Sequence, residues 1–152
     1  MLHFSTGLRN NLVNSSGLGS LMNSGAMYVY SGTKPSSPDN VPNAPLLAMI
    51  TTEGLTYNPN DNSNGAGLRL QLFPPGGLVK VGVWRLVGQA TGTATWFRWC
   101  SRGYDGFGFS ETRCRIDGDI GSELQLTETN ITATTRIEIE SFLMMLTMAA
   151  WA

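Results

Sequence analysis

From residue 27 onward the chain repeats one pattern: a short run with apolar side chains at alternate positions, closed after about ten residues by Gly, Pro, Asn or Asp. Period-two alternation places one set of side chains on one face of a strand. Turn residues at that spacing leave no room for crossover helices, so the strands must pair antiparallel. Runs at 27–31, 46–52, 68–73, 79–87, 93–101, 111–117, 122–126, 131–139 and 142–148 fit the pattern. They predict a mainly β fold, an antiparallel sandwich or barrel, with a jelly-roll-like or Ig-like β-sandwich as the expected form.

The runs differ in character. Residues 79–87 put Val79, Val81, Val83 and Val87 on one face, interrupted by Arg85. Residues 131–139 alternate most cleanly, Ile131, Ala133, Thr135, Ile137 and Ile139 against polar neighbours. The run 93–101 is apolar on both faces, as expected of a central strand or of one facing a partner. Between the runs, residues 32–45 carry Pro35, Pro38, Pro42 and Pro45 and read as a loop, as does the Asn-, Pro- and Gly-rich stretch 57–67.

Residues 5–24 have a different period. Leu8, Leu12, Val13, Leu18, Leu21 and Met22 recur at helical spacing after Ser5 and Thr6, either of which can cap a helix. Gly17 and Gly19 favour a break, and Gly25 a stop. The expected organisation is a helical segment over 1–25 and a β-sandwich domain over 26–152.

Composition narrows the function. A chain of 152 residues has room for one domain with a core of its own. Charged residues are 14% of it and the net charge is −1, so no basic field is available to hold nucleic acid. No apolar run reaches the ~18 residues of a membrane span, and no secretory leader is expected at the N-terminus. His3 is the sole histidine, which argues against histidine metal sites and against Ser-His-Asp or Cys-His catalysis. Neither a cofactor nor a catalytic residue is expected.

Several clusters invite chemistry but have plainer explanations. Cys100 and Cys114 lie symmetrically about Phe107, across an expected hairpin whose loop is 103–108, so they fit either a disulfide or two buried thiols. Asp117-Gly118-Asp119 reads as a turn, because an EF-hand's remaining oxygen ligands are missing. Glu138 and Glu140 share a strand face beside Arg136, the signature of a solvated face. Trp84, Trp96, Trp99 and Tyr104 could stack on a sugar, but aromatic strand residues more often serve a core or an interface.

Two features point to contact with other chains. The basic residues are arginines apart from Lys34 and Lys80, and arginine is favoured over lysine at interfaces. Residues 142–152 are almost uncharged, and a neighbouring subunit would cover what the chain's own core does not. Trp84, Trp96, Arg98, Trp99, Arg136, Phe142, Met144 and Trp151 are the candidate interface residues.

Short stretches across nearly the whole chain carry a resemblance. They are Ser5-Thr6-Gly7-Leu8-Arg9-Asn10, Tyr28-Val29-Tyr30-Ser31-Gly32 with Pro35, and Thr91-Gly92-Thr93-Ala94-Thr95-Trp96-Phe97-Arg98. Asp117-Gly118-Asp119-Ile120-Gly121 follows, then Leu124-Gln125-Leu126 leading to Asn130-Ile131. In these the chain resembles a family of small structural proteins of tailed-bacteriophage and prophage particles. It departs from them in the longer 103–110 loop and in its Met-rich, Trp-containing end. The resemblance implies a virion component of the head or head-to-tail region, made in the host cytoplasm, with no catalytic residues to carry over. The expected role is a capsid decoration (cement) protein, a dimer or trimer that contacts the major capsid protein. A tail or neck component, and a carbohydrate-binding host-adhesion module, are the alternatives.

Overall fold

The computed structural model describes residues 1–14 and 16–145. It is mainly β and antiparallel, with short helices near the N-terminus. The chain opens with β1 (His3–Phe4), α1 (Thr6–Asn14), α2 (Leu18–Met22), β2 (Ala26–Tyr30) and β3 (Leu46–Thr52). It continues through β4 (Arg69–Phe73), β5 (Gly77–Val81), β6 (Trp84–Gly88), β7 (Gly92–Thr93) and β8 (Trp96–Cys100). β9 (Arg115–Asp119), β10 (Asn130–Ile131), β11 (Arg136–Ile139) and β12 (Leu143–Met145) complete it. Seven strands form the large sheet in the order β1-β9-β8-β2-β3-β6-β11, and β12-β5-β4 form a small one. β7 and β10 pair separately.

Alternation decides the two faces of the large sheet. Register sets Met27 against Trp99, Val29 against Phe97, Ile50 against Leu86, and Ile137 against Leu86. These side chains, with Ile116 and Ile139, form one continuous apolar face and are buried. The small sheet and the helices close over it. Phe142, just ahead of β12, is the joint: its ring lies 5.5 Å from Trp84, 5.7 Å from Trp99 and 6.5 Å from Phe97. The two layers and their shared core make a β-sandwich-like fold.

The segment 1–25 is part of that core. Leu8, Leu18 and Met22 belong to the same buried cluster, and β1 pairs with β9 as an edge strand of the large sheet. Ser5 caps α1 by accepting the Leu8 N–H at 3.1 Å. Its hydroxyl also accepts the Arg115 N–H and donates to the Arg113 carbonyl, which fastens the helix start to β9. Gly7 is needed there, because a Cβ would strike the Thr112 backbone. The helix breaks ahead of Gly17, as its glycines suggest.

Several runs differ from their sequence reading. Residues 79–87 do not form one strand. Gly82 has φ +76°, a left-handed turn that sends the chain from β5 in the small sheet to β6 in the large one. Residues 131–139 also divide, at a turn in which the Thr135 N–H bonds the Thr132 carbonyl. The run 122–126 is mostly turn, touching the fold through an Ile120–Leu124 bridge. Asp117-Gly118-Asp119 is strand, not turn. Gly118 lies opposite Phe97, where a Cβ would come within 2.5 Å of the ring. The strand expected at 111–117 runs instead over Arg115–Asp119, and the part of 142–148 beyond Met145 lies outside the described residues.

Candidate interaction surfaces

The other face of the large sheet carries charge. On β8 the alternate positions are Trp96, Arg98 and Cys100, and on β9 Arg115, Asp117 and Asp119. Register sets Arg98 opposite Asp117. The guanidinium donates to both carboxylate oxygens, Nε at 2.7 Å and Nη2 at 2.8 Å, and both side chains are fully buried. Arg115 grips Asp105 in the same two-pronged way, at 2.8 and 2.6 Å.

What buries these pairs is loop. Residues 31–45 and 101–114 fold across this face, and the arginines hold them down by their remaining donors. Arg98 Nη1 donates to the Asn40 carbonyl at 2.7 Å. Arg115 donates to the carbonyls of Pro38 and Gly108 at 3.0 and 2.9 Å. The two loops join where the Ser110 N–H bonds the Asp39 carbonyl at 2.9 Å. Asp39 in turn accepts the Thr6 N–H at the start of α1. Phe107 packs edge-on to Tyr28 with ring centres 4.7 Å apart, and Tyr30 stacks on Trp96 at 4.6 Å.

The two carboxylates respond differently to this environment. Burial raises the Asp105 pKa, but the Arg115 fork and the Phe107 N–H outweigh it and leave it lowered. Asp117 is deeper; burial raises its pKa and the Arg98 fork offsets only part of the rise. Burial pushes the Cys100 thiol well up and the Cys114 thiol up as well. Both cysteines are free. Symmetry about Phe107 would set them opposite each other, but the ladder pairs Cys100 with Arg115. That one-residue offset puts Cys114 on the core face and Cys100 on the charged one.

The pinned loops expose large side chains. Tyr104 and Phe109 are each 64% exposed and Val41 55%. A second exposed apolar region lies on the small sheet: Leu72 and Phe73 on β4, Leu143 and Met145 on β12.

The expected interface residues fall elsewhere. Trp84, Trp96, Arg98 and Trp99 are fully buried, and Phe142 and Met144 nearly so, each covered by the chain's own layers. They offer no free surface. The sugar-stacking platform is therefore not formed, since Tyr104 alone of its four members reaches solvent. Arg136 and Glu138 are exposed on β11, and Glu140 is exposed just beyond its end. Trp151 lies outside the described residues. Sequence reasoning missed Phe109, Val41 and the Arg115–Asp105 pair. The available signal was a second arginine, Arg115, opening the strand that follows a glycine-rich loop with an aspartate in it.

Among the described residues no group of three His, Cys, Asp or Glu side chains could hold a metal ion, and no helix is long and apolar enough to cross a membrane. Shallow cavities of about 200 Å³ lie beside Met49, Tyr57 and Val87, and beside Gln125, Glu138 and Glu140. Comparisons of the chain with protein-family models, with curated proteins and with solved structures each find no match.

Proposed function

We propose that this chain is a structural component of a tailed-phage particle, a head decoration protein that acts by binding other protein subunits. The observation that carries the reading is the loop platform. Exposed Tyr104, Phe109 and Val41 sit on two loops that buried arginines hold in place. Rigid aromatic anchors on pre-ordered backbone suit protein recognition, because little conformational entropy is lost on docking. The charged groups beneath are consumed in pairing and are walled off from solvent, which leaves them no substrate to meet. The major capsid protein is the expected partner, and self-association into a small oligomer would multiply the contacts.

The test is the double variant Tyr104→Ala, Phe109→Ala. Both side chains are largely exposed, so the fold should keep its thermal stability. Copy number on purified particles should fall sharply, since losing anchor residues costs about 2–4 kcal/mol of binding. Unchanged occupancy on the head surface would refute the platform as the docking site.

A further inference from the structure

The small sheet has an open edge. Its order is β12-β5-β4, so β4 is paired along one side only. Lys80, opposite Leu70, turns its N–H away from β4 to the Phe142 carbonyl. The Leu70–Lys80 pair therefore exchanges no bonds, and it is Arg69, Gln71 and Phe73 that bond β5. Leu68 agrees, since its N–H and C=O reach Gly25 and Ser24 on the side away from β5. The N–H and C=O groups of Leu70 and Leu72 thus point out of the sheet, with no backbone partner among the described residues.

α2 stands back from this edge and leaves a cleft of about 380 Å³. Leu70, Gln71 and Leu72 line one side of it, and Gly17, Ser20 and Asn23 the other. Successive side chains take opposite faces, so a cleft lined by three in a row lies along the strand's margin. Sheets protect such margins with short strands, charge or proline. The large sheet does so: β1 is two residues long, and β11 carries exposed Arg136 and Glu138. β4 reads Arg-Leu-Gln-Leu-Phe, with a single charge and no proline, and leaves Leu72 66% and Phe73 47% exposed.

The strand is complementary to itself. An antiparallel copy with Gln71 facing Gln71 sets Leu70 opposite Leu72, and Arg69 opposite Phe73. The Leu70–Leu72 pairs are then the bonded ones, and together they satisfy every outward backbone group. Each exposed Leu72 is covered by the second copy's Leu70. Arg69 meets the second copy's Phe73 as a cation–π pair, and no like charges oppose each other. We propose that two copies of this chain dimerise by pairing β4 with β4 about a two-fold axis at Gln71, which joins their small sheets into one. The contact is separate from the Tyr104–Phe109 platform and does not rest on the virion reading.

Sedimentation and amide exchange on the full chain test it. Dimers should form as concentration rises, and the Leu70 and Leu72 amides should gain protection in step. The Gln71 amide, already bonded to β5, should not change. Gln71 is exposed, so Gln71→Lys leaves the core intact while it sets like charges face to face at the axis. It should weaken the dimer several-fold, and an equal mixture with Gln71→Glu should restore it as a heterodimer. A chain that stays monomeric at every concentration overturns the proposal, and so does a trimer. A dimer that leaves the Leu70 and Leu72 amides unprotected, or that ignores the charge at position 71, pairs through another surface and overturns it equally. Protection of those amides in a monomer would mean that the chain closes its own edge, which also overturns it.

Discussion

The large sheet is covered twice, by opposite means. On one face the small sheet and the helices meet Phe97, Trp99, Trp84 and Leu86 through apolar contact around Phe142. On the other face loops without regular structure are held by two arginine–aspartate forks and the carbonyls those arginines reach. Apolar contact is non-directional; it fixes that two layers meet and leaves their fine placement to packing. A buried guanidinium is directional. Each donor needs a named acceptor, so it specifies where residues 38–40 and 105–108 must lie. The core face supplies stability, and the charged face supplies shape to the loops that carry Tyr104 and Phe109.

Single truncations on the two faces should therefore fail differently. Arg98→Ala leaves Asp117 buried without its partner and the Asn40 carbonyl without its donor, a cost of about 3–5 kcal/mol. Phe142→Ala removes the joint between the sheets at a similar cost of about 3–5 kcal/mol. Chemical denaturation measures both. The difference shows in amide exchange below the unfolding midpoint. Arg98→Ala should free the amides of residues 31–45 while the core strands stay protected, and Phe142→Ala should weaken protection across both sheets. Indistinguishable exchange maps would break the contrast.

How much of this was legible follows the same division. The antiparallel, mainly β fold and the core face could be read from the sequence, because alternation records which side of a strand is apolar. The breaks at Gly82 and at Thr132–Thr135 escaped, because valine or isoleucine on alternate positions continues across a turn as readily as along a strand. The run 93–101, apolar on both faces, did mark a central strand: β8 has neighbours on each side and layers above and below. Yet alternation does not say what covers a face. Trp96 and Arg98 look like interface residues in sequence and are sealed by loops distant along the chain. The exposed anchors, Phe109 and Val41, sit in segments with no period to read.

The two forks should also part company in acid. The pKa of Asp105 is lowered from its usual 3.8, so its pairing contributes stability that is complete above that value and is lost as pH falls through the lowered folded pKa. Asp117 is raised, so its sign is opposite: protonation relieves part of its burial cost, and its contribution declines as pH rises through the raised pKa. Acidification below pH 3.8 should thus loosen the 101–114 loop ahead of the Arg98 side. The amide proton of Phe107, which bonds Asp105 Oδ1 at 2.8 Å, is the probe. Its chemical shift should move in that range while the β8 and β9 amides keep their protection from exchange. Protection lost from the β8 and β9 amides at the same pH would mean that the loop and the sheet unfold as one unit.

The smallest expected change in stability is the sharpest test of the contrast. Replacing Arg98 and Asp117 together, as Arg98→Met with Asp117→Leu, removes both charges and leaves neither stranded. Apolar replacement of a buried ion pair is commonly neutral or stabilising, so global stability should stay within about 1 kcal/mol of the parent. The new side chains cannot donate to the Asn40 carbonyl, whose bond to Arg98 Nη1 fixes the 31–45 loop. Unfolding free energy should hold while amide protection near Asn40 falls, and Tyr104 should become more mobile through the Ser110–Asp39 link between the loops. If that loop keeps its full protection in the doubly apolar protein, then packing alone positions it, and the two faces of the sheet work by one principle rather than two.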